Sequence, residues 1–148
     1  MRLLFITESL PYFPCHDGFR LIPYNLLREL SRRHEIHLLS FYTDEKEVPL
    51  AASISRFCHS IFTAYYEYPR DSRGKMRNLF SMYGWHEGMH ARISACLAER
   101  QFDVIHVEGA NMGQYVYQIK DMPKIICPHD SPFANAWQQF KSNKNLVV

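Results

Sequence analysis

Apolar positions fall into short, nearly unbroken runs separated by amphipathic stretches. Four runs read as buried strands, at Leu3–Thr7, Glu35–Phe41, Val104–Val107 and Lys124–Cys127. A weaker fifth lies at Ser60–Tyr66. Such runs suit strands covered on both faces, as in a parallel sheet. Between them the spacing lengthens to the helical period. Ile22, Leu26, Leu27 and Leu30 form one stripe of a helix ending near Arg33, where Arg32, Arg33 and His34 suit the helix dipole. Met89, Ile93 and Leu97 mark a second helix, over about Trp85–Arg100. Gln114–Ile119 and Phe133–Phe140 carry weaker helical patterns. Strand–helix alternation predicts an α/β domain with right-handed crossovers.

Composition narrows the class. The chain has 148 residues, 47% hydrophobic and 22% charged, which suits one globular domain with a real core. Lys+Arg 17 against Asp+Glu 15 leaves +2, too near balance for a nucleic-acid binder, so no nucleic-acid partner is expected. No apolar run approaches the ~20 residues of a membrane span, and the amino terminus does not read as a signal peptide. Cys15, Cys58, Cys96 and Cys127 are spread without a C-x-x-C. That pattern predicts reduced thiols in a cytoplasmic protein.

Ligands in open α/β sheets bind beyond the carboxyl ends of strands, where strand order reverses. The loop after the first strand runs from Glu8 to Gly18, and Arg20 then opens a helical stretch. It is neither G-x-G-x-x-G nor a Walker A loop, so no dinucleotide cofactor is expected. Gly18 suits either a turn before a helix or a close approach of backbone N–H groups to an anion. His129-Asp130 follows the last strand. A histidine beside a carboxylate can orient a tautomer or share a proton, and the same residues can equally form a turn with Asp130 or Ser131 as a cap. Glu108 ends the preceding strand and reads as a hydroxyl acceptor or a solvated acid, while His106 reads as a core histidine.

His86-Glu87-Gly88-Met89-His90 spells H-E-x-x-H, the helical spacing of two zinc ligands. Gly88 weakens the helix between them, and Ile93 and Cys96 stand where a metzincin continues with glycine and histidine. No metal is expected there. The stretch 65–85 mixes aromatics with basic residues, a composition that suits sugar stacking, a lipid surface, or ordinary core and solvated arginines.

Three segments taken in order resemble a known family. They are Thr7–Ser40 with its Pro-containing loop, Asp17-Gly18 and leucine stripe, then Phe102-Asp103-Val104-Ile105-His106-Val107-Glu108-Gly109, then Ile125-Ile126-Cys127-Pro128-His129-Asp130. Together they resemble the amino-terminal, acceptor-side half of the retaining GT-B glycosyltransferases of the group 1, subfamily 4-like type. The resemblance implies a three-layer, Rossmann-like α/β domain over residues 1–141, with a parallel sheet of order 3-2-1-4-5. It implies His129 and Asp130 beside the reacting sugar, and Asp17, Gly18, Arg20, Glu108 and Gly109 as substrate-binding residues. It implies sugar transfer from a nucleotide-diphosphate sugar to a hydroxyl, on a sugar or lipid-linked acceptor, with a peripheral membrane contact through 65–85. Family members carry a second, donor-binding domain, which this sequence lacks, so 142–148 reads as a tail or truncated linker and the chain alone is expected to be inactive. The alternative is a non-catalytic or partner-dependent module that pairs with a separate donor-binding chain. Asp17 stands where many members have glycine, Pro23 where the helix is under way, and Glu108 replaces the second histidine of H-x-H.

Overall fold

A computed structural model of the protein describes residues 1–15, 17–67, 85–129, 137, 138 and 141. The helical pattern at 133–140 lies largely outside them, as do most of 65–85 and the tail 142–148. Five strands form one all-parallel sheet, β1 (Arg2–Thr7), β2 (Glu35–Tyr42), β3 (Ser60–Tyr65), β4 (Val104–Glu108) and β5 (Lys124–Cys127). Their order is β3-β2-β1-β4-β5, a Rossmann-like arrangement in which the chain leaves β1 toward one side and later returns to build the other.

Helices cover both faces. The first, α1 (Gly18–Leu30), starts two residues before Arg20 because Asp17 caps it, accepting from the Arg20 backbone N–H at 3.0 Å. Pro23 sits inside α1 and is buried. The second, α2 (Glu87–Glu99), is capped by His86, whose Nδ1 accepts from the Met89 N–H at 3.0 Å. Two 3-10 helices at Glu45–Ser53 and Ser55–Phe57 connect β2 to β3, a connection whose spacing predicted no helix. No helix forms over most of Gln114–Ile119; a 3-10 helix over Ala110–Tyr115 overlaps only its first two residues.

Alternation along the strands divides the core into two layers. Leu4, Ile6, Leu39, Phe41, Ile105 and Val107 face α2 and pack with Met89, Ile93 and Tyr115. Phe5, Ile36 and Leu38 face α1 and pack with Tyr24, Leu27 and Ile54. Among the described residues no helix is long and apolar enough to cross a membrane.

The register puts one row of polar residues across the carboxyl end of the sheet on the α1 side. Thr63 pairs with Ser40, Ser40 with Thr7, Thr7 with Glu108, and Glu108 with Cys127. One step back along the strands on this face, Leu38, Phe5, His106 and Ile125 pair across the sheet, two residues before Ser40, Thr7, Glu108 and Cys127. On β1 the apolar core of this face therefore stops short of the strand end, while on β2 Tyr42 resumes it past Ser40.

Candidate functional site

Glu108 is the centre of the polar row. It is the last residue of β4 and its side chain is 2% exposed. Two residues earlier on the same strand face, His106 brings Nε2 to 2.5 Å from Glu108 Oε1. Its ring stacks on Phe5 with centroids 4.5 Å apart, which fixes its orientation. On the other side, His129 Nε2 lies 2.5 Å from Glu108 Oε2. That second approach is not aligned as a hydrogen bond, and neither atom has a hydrogen-bond partner among the described residues. His129 adopts φ +57°, an uncommon left-handed conformation for a side-chain-bearing residue, and its ring meets the edge of Phe19 in the first turn of α1 at 5.8 Å. Cys127 Sγ stands 3.9 Å from His106 Nε2. Burial pushes the Cys127 thiol up, and the neighbouring Glu108 carboxylate adds to the shift.

A second carboxyl group joins from β1. Glu8 follows Thr7, and its backbone N–H donates to the Glu108 carbonyl at 3.3 Å. Its two carboxyl oxygens each accept from Asn111 Nδ2 at 3.2 Å. Burial pushes the Glu8 carboxyl up, against lowering pulls from the Asn111 amide and the His129 imidazole. Gly109 makes this approach possible. Its φ is +98°, and a Cβ there would meet Glu8 Oε2 at 2.7 Å. Its N–H donates to the Cys127 carbonyl at 2.9 Å, tying the β4 exit to β5.

The residues predicted for the site divide into two groups. Glu108, Gly109 and His129 come together with the start of α1. Asp17 and Arg20 turn instead toward the β2–β3 connection. Arg20 Nη1 donates to Asp17 Oδ2 at 2.9 Å and Nη2 to Glu47 Oε1 at 2.5 Å, so two carboxylates already balance its charge. Gly18 has ordinary helical backbone, and a Cβ added there would meet nothing within 4 Å, so neither a left-handed turn nor a close contact requires glycine. Asp130 lies outside the described residues.

Glu8, Asn111, His106 and Cys127 join the site without having been expected in it from sequence. The pairing of His106 with Glu108 was findable, since a spacing of two on a strand puts side chains on one face. Glu8 was findable as the first residue past β1 at the switch point. Cys127 joins only through the β4–β5 register. The histidines of H-E-x-x-H do not share a helical face, because His86 caps α2 from outside it and His90 packs on Trp85 at 4.7 Å.

No family model matches the chain, and neither a curated protein nor a solved structure does.

Proposed function

We propose that this domain is the acceptor-side half of a retaining glycosyltransferase, binding the hydroxyl-bearing acceptor while a donor-binding partner domain or chain holds the nucleotide-sugar. The observation that carries the reading is the convergence of Glu8, Gly109, Glu108 and His129 at the ends of β1, β4 and β5, beside the start of α1. This is the switch point of a 3-2-1-4-5 sheet, where open α/β folds bind ligands. Glu8 and the His129 imidazole supply polar groups for sugar hydroxyls. Glu108 places its carboxylate beside the His129 ring, which Phe19 meets edge-on. The leaving diphosphate is stabilised elsewhere, since Arg20 is committed to Asp17 and Glu47. The four unpaired cysteines suit a reducing cytoplasm.

The partner-dependent alternative draws on a different observation. Phe19 and Ile22 on α1, and Phe13 before it, are exposed. That apolar strip suits contact with a second domain or chain, with or without catalysis.

Saturation-transfer NMR with methyl α-glucoside and methyl α-N-acetylglucosaminide tests acceptor binding. Signal is expected with the unaltered chain, falling several-fold in His129→Ala and in Glu8→Ala. Equal signal in all three proteins would remove the site. With UDP-glucose, no transfer by this chain alone is expected, and turnover by it would refute the division of labour.

A further inference from the structure

We propose that the carboxyl ends of β4 and β5 form a site for one divalent transition-metal ion of the zinc class, with His106 Nε2, Glu108 and Cys127 Sγ as ligands and a fourth position open to water. The inference stands apart from the acceptor-binding reading, although Glu108 figures in both.

Three observations support it. The first is proximity, since the donor atoms of His106, Glu108 and Cys127 all lie within 4.8 Å of one another. The second is charge. Glu108 is almost wholly buried, and among the described residues only the two imidazoles stand as ion-pair partners to it, with no arginine or lysine. A buried carboxylate demands a compensating cation. The third is the unsatisfied oxygen. Glu108 Oε2 is buried with no hydrogen-bond partner among the described residues, and a metal held by the carboxylate gives it one.

The donor chemistry selects the ion. One imidazole nitrogen, one carboxylate and one thiol sulfur make a borderline-soft set, suited to zinc or cobalt and unsuited to calcium or magnesium. Tetrahedral bonds of about 2.0–2.3 Å separate ligand atoms by about 3.3–3.6 Å. Loading therefore opens the 2.5 Å Glu108–His106 contact and closes the 3.9 Å Cys127–His106 separation slightly. The Cys127 thiol becomes a thiolate on the metal and its proton passes to solvent, while the proton between His106 Nε2 and Glu108 moves to the other ring nitrogen. Phe5 stacked on His106 already holds that ring.

The test uses the purified chain, stripped by chelator and titrated separately with zinc and cobalt, with far-UV circular dichroism as the fold control. One zinc per chain is expected, with a thiolate-to-cobalt charge-transfer band for the cobalt form. Cys127→Ser should abolish that band, and Cys127→Ser and Glu108→Gln should each weaken zinc by at least about tenfold. If Cys127→Ser does not fold, His106→Gln carries the same expectation for zinc. His59→Ala and His86→Ala should leave binding unchanged. Absence of stoichiometric zinc overturns the proposal, as does binding that survives Cys127→Ser and Glu108→Gln or is lost with His59 or His86. No sugar enters this titration, so its failure leaves the NMR experiment untouched, and the reverse also holds.

Discussion

Two clusters of histidine and carboxylate sit at opposite ends of the same sheet, and they are built differently. At the amino end, His37 Nε2 meets Glu35 Oε1 at 2.9 Å, its Nδ1 meets Ser60 Oγ at 2.7 Å, and Arg100 and Arg2 bring cations to the ring and the carboxylate. His59 adds a third donor, so this cluster also has the geometry of a metal site. Its carboxylate is partly solvated and its positive charge is already supplied by arginine. At the carboxyl end, Glu108 is buried, two imidazoles share it, and two polar atoms lack hydrogen bonds among the described residues. The same residue types thus give a satisfied, partly solvated clamp in one place and an incomplete buried array in the other. Ligand content alone does not mark a site; the balance of charge and the orphaned atoms do.

Removing the carboxylate separates the two ends most sharply. Glu108→Ala strands two buried imidazoles and is expected to lower stability by about 3–5 kcal/mol in urea unfolding. Glu35→Ala, where the carboxylate is partly solvated, should shift the same curve less, through the loss of its bond to His37 Nε2. A small effect at Glu108 would erase the contrast.

Backbone gives the next largest effect. Gly109→Ala forces a left-handed alanine against Glu8, with an expected loss of about 1–3 kcal/mol in the same unfolding experiment. Gly18→Ala, in open helical space, should be neutral or slightly stabilising. Equal losses at both would show that the close approach of Glu8 to Gly109 is not what needs glycine.

Acid sharpens the comparison from the amino end. Desolvation holds the His37 imidazole below its ordinary 6.5, with Arg100 and His59 lowering it further and Glu35 pulling the other way. The unfolded chain therefore takes up this proton first as pH falls. Stability should decline from pH 6.5 downward until the folded imidazole also protonates. Below 4.5 the loss continues through Glu35, which His37 and Arg2 hold low. In thermal melts across this range, His37→Gln should flatten the upper part of the slope and leave the lower part shallower. An unchanged slope above 4.5 would assign it to another group.

Thiol chemistry gives the smallest signal. Burial pushes Cys58, just before β3, up to about 12, so alkylation of the folded chain near pH 8 should be slow there. Zinc should slow alkylation of Cys127 and leave Cys58 as it was, read by peptide mass spectrometry.

β1, β2 and β4 were legible because burial on both faces leaves a run of apolar residues that no helix of that length would need, whereas β5 carries such a run with Ile125 and Ile126 exposed. β5 matches its expected bounds, and β1, β2 and β4 each extend by one residue at an end. The 3-10 path over Glu45–Phe57 was not legible, since Pro49 and a three-residue period leave no amphipathic stripe. In α1, Asp17 read as a displaced glycine, and its part as a helix cap became visible only with the backbone in place. At the site, Glu108, Gly109 and His129 followed from their places at or just past strand ends. Cys127 depended on register, and Arg20 misled because its charge is visible in the sequence while its partner Glu47, 27 residues away, is not.

The polar row across the sheet has a consequence for how this chain would drift under selection. Thr7 and Ser40 bond each other at 2.8 Å in full burial. Removing such a pair together, as Val and Ala, is close to neutral for folding, whereas removing one partner of Glu108 is not. A library propagated for stability alone would therefore lose the row from its middle outward, filling the Thr7–Ser40 segment with hydrocarbon and stranding the β4–β5 end as an isolated polar island. The order in which those positions turn apolar, with and without zinc in the medium, would record which part of the sheet serves only folding and which part serves something else.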